Sequence, residues 1–401
     1  MAKQRNQMVT RRAFLRHSAA AVATAYVTPY TIPTSGLGKQ QLENVTIFEA
    51  LPGDSFAYGW VSGAPLLGLF GDGRLAVAVE QLTPRANARS APCLVSDDDG
   101  ATWHTIEGVP SGFAQIVDVK RPYMPAELAD GTMLDVDIWT WADHPETQRK
   151  KLAAEGRYLY DEVQGNRPGV ISVFYELWMG RSRDGGKSWS ITELNPPNLI
   201  NWSQAWRYGE PLVLRDGTFI KPFWGKYGRE APNLFCSAVL RSEDGGNSWT
   251  YHILLRDKNL AFSYSCMTEA VNGDLIAVVQ PAVQDRLWTT ISSDGGKTWS
   301  KAMEQPIRGG NPWIITTTEG LLVLIYAREY PGRYPEGTGV FVCVSQDHGQ
   351  TWKTNREMTV WNNKGKGILT MPTAIAMPDG SVYAVYALQS RILTGSRFTP
   401  I

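Results

Sequence analysis

The eight residues Ser292-Ser293-Asp294-Gly295-Gly296-Lys297-Thr298-Trp299 fit the pattern S-x-D-x-G-x-[ST]-W, which occurs four more times in this chain. The other copies run from Ser96 to Trp103, Ser182 to Trp189, Ser242 to Trp249 and Ser345 to Trp352. Recurrence at this spacing is the mark of a repeat architecture. The residue types suit a strand-turn-strand unit. The aspartate (Asp98, Asp184, Asp244, Asp294, Asp347) can accept main-chain N–H bonds inside the turn. The glycine two positions on permits a left-handed backbone. The tryptophan opens the next strand, where its large apolar area can wedge between sheets. These aspartates are therefore expected to build turns, not to catalyse.

A second, looser repeat interleaves with the first. It pairs an acidic or amide residue with glycine at Asp72-Gly73, Asp130-Gly131, Asp216-Gly217, Asn272-Gly273, Glu319-Gly320 and Asp379-Gly380. Each pair lies between two apolar or alternating runs, as hairpin turns do. The order is strand A, Gly turn, strand B, strand C, box, strand D, which makes one four-stranded blade. Six turns predict six blades. The sixth has no box, and the strand expected from Asn44 to Ala50 is placed to complete it and close the ring. Closure removes the exposed edges that open sheets must manage.

The eight-residue pattern resembles the Asp-box repeat of sialidases and related propellers, and the resemblance covers nearly all of residues 41–401. It implies an all-β, six-bladed β-propeller of four-stranded antiparallel blades, acting on a glycan. The sialidase residue set does not carry over. The resemblance puts an arginine at Gly63, before Ala64-Pro65, and a second at Gln280. It puts the nucleophilic tyrosine near Thr370 and that tyrosine's glutamate partner near Tyr264-Ser265. None of these residue types stands there.

Connectivity locates the functional face independently. Gly turns and boxes join strands at one end of the blades, so the B–C loops and D–A connections share the opposite, upper end. Counting back ten positions from each turn glycine gives a column of Gly63, Arg121, Arg207, Ser263, Gly310 and Thr370. Arg121 and Arg207, in adjacent blades, could grip one carboxylate bidentately. The same counting brings Glu80, Asp137 and Glu210 near them as candidate catalytic carboxylates, glycoside hydrolysis needing two. Tyr123, Tyr208, Tyr264, Gln280 and Arg328 are the further candidates for binding substrate, with Lys226, Arg328 and Glu329 at the rim. Trp139, Trp141, Trp206, Trp224 and Trp313 offer flat faces for sugar rings.

These residues fit a glycoside hydrolase on an acidic or neutral glycan, a polysaccharide lyase, or a propeller that binds glycan or protein without turnover. The fold alone does not separate them.

Between strands B and C of the second blade lies an insertion, Asp143 to Gly169, in which Asp143-His144-Pro145-Glu146 predicts a helix start and a helix to about Glu155. Glu146 and Lys150 are its expected i,i+4 pair. Acidic and basic residues balance at 39 each, so no overall field favours nucleic acid or an anionic membrane surface. The histidines show no metal spacing, and neither metal nor cofactor is expected. Cys93, Cys236, Cys266 and Cys343 sit in apolar strand segments and are expected to be buried thiols. Residues 1–40 read as a leader and linker. Thr10-Arg11-Arg12-Ala13-Phe14-Leu15-Arg16 and the weakly apolar run to Val27 resemble a twin-arginine export signal, too short to span a bilayer, implying a periplasmic or extracellular protein.

Overall fold

The structure is a computed structural model. It describes residues 43–49, 55–56, 65–69, 73–78, 81–83, 88–90, 93–105, 125–155, 159–160, 169–184, 188–194, 202–207, 209–227, 235–257, 259–282, 286–329, 332–335, 337–362, 371–388 and 392–400. The export motif lies outside these residues.

Six of the seven antiparallel sheets among the described residues form the six blades of a propeller; the seventh is a small three-stranded sheet of Ser55–Phe56, Gln81–Thr83 and Ala88–Ser90. Blade 1 comprises Leu66–Leu69, Leu75–Ala78, Cys93–Ser96 and His104–Thr105. Blade 4 shows the plan at full length: Phe262–Glu269, Leu275–Pro281, Arg286–Ser292 and Met303–Arg308 pair in sequence order. Blade 5 repeats it with Gly310–Thr316, Leu322–Arg328, Gly339–Ser345 and Met358–Asn362. In blade 6 the outer strand is Glu43–Glu49, paired antiparallel with Ile392–Phe398. The first strand of the propeller thus completes its last blade, as the sequence predicts.

Both repeats build the turns expected of them. In all five boxes the serine Oγ donates to the aspartate Oδ1 at 2.8 Å. The same oxygen accepts the main-chain N–H of the Ser or Thr four residues on, at 2.8–2.9 Å. A carboxylate so surrounded is favoured in its charged form. Asp98 is accordingly held down at about 2, first by the Thr102 hydroxyl, then by the Thr102 N–H and the Ser96 hydroxyl. Gly246 shows why the fifth position is glycine: its φ is +86°, and a Cβ there would lie 3.0 Å from both Leu134 and Met179 of the preceding blade.

The apolar core is divided among the gaps between blades. One cluster joins blades 2 and 3 through Leu134, Val136 and Met179 against Phe219 and Phe223, with Trp249 packed on it. Others join blades 3 and 4 (Ile220 and Val239 with Met267 and Leu275), 4 and 5 (Ile276 and Val278 with Leu324 and Phe341), and 5 and 6 (Val323 and Val342 with Val382 and Ala384). The last joins blades 6 and 1 through Tyr383 and Val385 against Leu75 and Val77. Box tryptophans 103, 249, 299 and 352 each belong to the cluster between their own blade and the one before it. Arginines add polar ties across the same gaps: Arg181 Nη2 donates to the Gly245 carbonyl and Arg241 Nε to that of Gly295, each at 2.8 Å. Arg397 touches both the Asp379 turn and Asp99 of the first box, which fixes Gly turns and boxes at one end of the ring.

The insertion differs from its sequence reading. Strands Met133–Pro145 and Val170–Ser182 stay paired out to Pro145 opposite Val170. Pro145 therefore ends a strand, and the helix begins later, as a 3-10 turn Glu146–Gln148 followed by an α-helix Arg149–Ala154. Glu146 pairs with Arg149, one turn position earlier than the expected Lys150. The ladder wins because each further residue pair of the hairpin satisfies main-chain groups that a frayed helix end would leave to water.

Candidate functional site

The upper ends of blades 3, 4 and 5 carry three irregularities at corresponding places. In blade 4, Ser263 pairs with Gln280 and Ser265 with Val279, so Tyr264 is an extra residue bulged from strand A. In blade 5 the register slips between Gly310, opposite Ala327, and Trp313, opposite Ile325. Tyr264 and Asn311 both stand nine positions before their turn glycine, and both have left-handed backbones, with φ of 41° and 50°. In blade 3 strand A is split into Trp202–Arg207 and Leu212–Val213. Bulges re-aim side chains and gather at the rims of β-structures and beside binding sites. Non-glycine residues in this region cost energy that the surroundings must supply.

At the blade 4–5 junction the bulge is held by side chains. The Asn311 main-chain N–H donates to Gln280 Oε1 at 2.6 Å, and Asn311 Nδ2 donates to Glu329 Oε1 at 2.5 Å. Gly310 lets this happen, since a Cβ there would come within 3.1 Å of the Gln280 amide. At the blade 3–4 junction, a Cβ on Gly209 would lie 3.0 Å from the Ser265 carbonyl, so the chain just before Glu210 runs beside strand A of blade 4, next to the residue that follows Tyr264. The Tyr264 ring meets Trp224 of blade 3 edge-on, with centroids 5.3 Å apart.

The structure thus brings Glu210, Tyr264 and Gln280 to the same end of adjacent blades. Arg207 ends a strand segment in blade 3 and Asp137 lies within the long strand of blade 2, but their side chains are outside the described set. Arg121, Tyr123, Tyr208 and Glu80 lie outside the described residues.

Arg328 is placed differently from its rim assignment. It is 3% exposed, with Nη1 and Nη2 on Glu357 at 2.8 and 2.6 Å and Nε on the Arg308 carbonyl at 2.9 Å. Its guanidinium lies 4.1 Å from the centre of the Phe341 ring. The Tyr326 hydroxyl bonds the same carboxylate and sits 3.3 Å from Cys343 Sγ. Burial pushes the Tyr326 phenol well up and the Cys343 thiol up to about 11. This is a buried structural network.

Two proposed sugar platforms are likewise internal: Trp224 packs between Phe235 and Tyr264, and Trp313 is buried with Nε1 on the Ala374 carbonyl at 3.2 Å. Apolar strand positions and platform positions carry the same residue type, so sequence could not separate them. Asn311 was not among the candidates, because its role depends on a bulge that leaves no mark in the residue pattern.

A family model described as the BNR/Asp-box repeat matches residues 290–301, the copy quoted at the outset. Among curated proteins the chain is 22% identical over 314 residues to a sialidase of Bacteroides fragilis (strain YCH46), covering 69% of this chain and 51% of that protein. The chain therefore spans about half the length of the curated relative it matches. Among solved structures it is similar to a protein of unknown function from Dyadobacter fermentans, at 20% identity and a TM-score of 0.67, covering 90% of this chain and 98% of the other. It is also similar to a Penicillium chrysogenum α-L-arabinanase complexed with arabinobiose, at 14% identity and a TM-score of 0.53, covering 90% and 98%. At these identities the structural likeness establishes the fold, not the chemistry.

Proposed function

From a chain with the Asp-box repeat and six-bladed fold of the sialidase superfamily, we infer an exported glycan-active protein, a glycoside hydrolase without the sialidase residue set. What supports this reading is the position of Glu210, Tyr264 and Gln280 on neighbouring strands of blades 3 and 4, beside the bulged strands. In this proposal Arg121 and Arg207 grip an acidic group of the glycan where one is present, with Tyr123 and Tyr208 alongside. Glu210 and either Asp137 or Glu80 divide the acid and the base or nucleophile roles. Such a division needs two carboxyls about 5–9.5 Å apart whose surroundings hold one protonated and one charged. The twin-arginine motif supports export.

The test is a screen of the purified protein against aryl glycosides and oligosaccharides, followed by Glu210→Gln and Arg121→Ala on whatever substrate is found. A loss of kcat of ~100-fold or more in Glu210→Gln is the expected result, the usual scale for removing a general acid or base. Unchanged kinetics in both variants would refute the assignment. A propeller that binds glycan without turning it over is the second reading. It is favoured by Gln280, where the resemblance puts an arginine and where the structure has an amide bonded to Asn311.

A further inference from the structure

The Gly turn of blade 4 is built with different chemistry from those of blades 2, 3 and 6. In those three the turn pairs an aspartate with a hydroxyl residue two positions on. The N–H of Thr132, Thr218 and Ser381 donates to Oδ1 of Asp130, Asp216 and Asp379 at 2.8–3.0 Å. In blade 4 the turn reads Asn272-Gly273-Asp274, with the amide first and the acid second. Asn272 Oδ1 accepts the Asp274 N–H at 3.1 Å, and its Nδ2 donates to Asp274 Oδ2 at 2.7 Å. An ionised Asp274 has only acceptors to offer, so its partner must bring the donor.

This is the one Asn-Gly step in the chain, and Asn272 is exposed. Gly273 leaves its nitrogen unshielded: a Cβ there would meet nothing within 4 Å. Such a step is open to attack by the glycine nitrogen on the asparagine side chain. The Gly273 nitrogen loses its proton to a base in solution and bonds to Asn272 Cγ. The Cγ–Nδ2 bond breaks, and ammonia leaves with a proton from water. Water then opens the cyclic imide at one or other C–N bond, giving aspartate or isoaspartate. The fold holds the reaction back. Both ends of the Asn272 amide are bonded to Asp274, and the Gly273 N–H donates to the Ala270 carbonyl at 3.0 Å. The Ala270 N–H donates to the Asp274 carbonyl at 2.8 Å and closes the base of the turn.

We propose that Asn272 is a site of covalent modification, deamidated when the blade 4 turn opens, and that the product keeps the turn from closing as before. Local opening of this kind is set by the few bonds that hold the segment. Aspartate at 272 puts a second carboxylate where a donor now meets Asp274, and like charges so close repel. Isoaspartate adds a main-chain atom to a turn whose length is fixed by two main-chain bonds. Modified molecules therefore accumulate with the time the turn has spent open.

The test holds the purified protein in mildly alkaline buffer, with and without guanidinium chloride, and follows the Asn272 peptide by mass spectrometry. Modification is expected at Asn272, ~10-fold or more slower in the folded protein, the scale of its two side-chain bonds. Asp274→Ala removes the acceptor of Nδ2 and should raise the folded-state rate several-fold. Asp274→Asn still offers an acceptor and should stay near wild type. Asn272→Asp, the product made genetically, should lower the urea midpoint, and high salt should narrow the deficit. Asn272 left intact in guanidinium chloride, equal rates in the two conditions, or no acceleration in Asp274→Ala overturns the guarded site. An Asn272→Asp variant as stable as wild type overturns the claim that modification loosens the turn.

Discussion

The Tyr383 hydroxyl in the last blade donates to the Gly100 carbonyl in the first blade's box at 3.1 Å, across 283 residues of chain. Trp103 Nε1 donates in turn to that hydroxyl at 3.3 Å, and Arg397 pairs with Asp99 at 3.1 Å. The ring is therefore closed twice: within blade 6 by the pairing of Glu43–Glu49 with Ile392–Phe398, and between blades 6 and 1 by this contact.

Tyr383→Phe removes the hydroxyl alone and is expected to cost about 1 kcal/mol in denaturant unfolding. Tyr383→Ala, which empties a buried site between the blades, should cost about 3–5 kcal/mol. An alanine variant as stable as wild type would mean that blades 6 and 1 do not pack.

The boxes predict an acid-sensitive fold. The Asp98 carboxyl stands at about 2 in the folded protein against an ordinary 3.8. A depressed folded value stabilises above the unfolded one and is lost as pH falls through the folded one. The contribution is thus complete above about pH 4 and fades from there to about pH 2. Asp98→Asn should flatten the fall of the urea midpoint across that window. The same slope in variant and wild type would show that the turn does not depend on the charge.

Removing Glu357 leaves Arg328 buried without its carboxylate, a change worth about 3–5 kcal/mol. Glu357→Ala should therefore unfold at clearly lower denaturant. A variant with unchanged stability but impaired glycan binding would instead make Arg328 a substrate residue.

Cys236, Cys266 and Cys343 are free and buried, and burial raises the Cys266 and Cys343 thiols above their ordinary value. At pH 8 a disulfide reagent should find at most one thiol, that of Cys93, in the native protein, and four in urea. Rapid reaction of two or more thiols in the native state would contradict the packing.

Blade count, strand order and closure were legible because each rests on a local rule: an aspartate that accepts N–H groups, a glycine that must be left-handed, a tryptophan that must be buried. The site was less so. Asn311 matters because Gly310 admits the Gln280 amide and a one-residue slip turns its side chain towards Glu329, and neither contact is local in sequence. Arg328 looked like a rim residue by position in its strand, yet Glu357, 29 residues on, binds it inside. Position along a strand predicts the end of a blade, but not which neighbour a long side chain meets.

The placement of the site on the upper end of blades 3 to 5 is tested most directly by a crystal structure with the tightest-binding oligosaccharide of the screen. The sugar should lie at the end of the blades opposite the boxes, within reach of Glu210. A sugar seated at the end that carries the boxes, or on the outer strands, would contradict it.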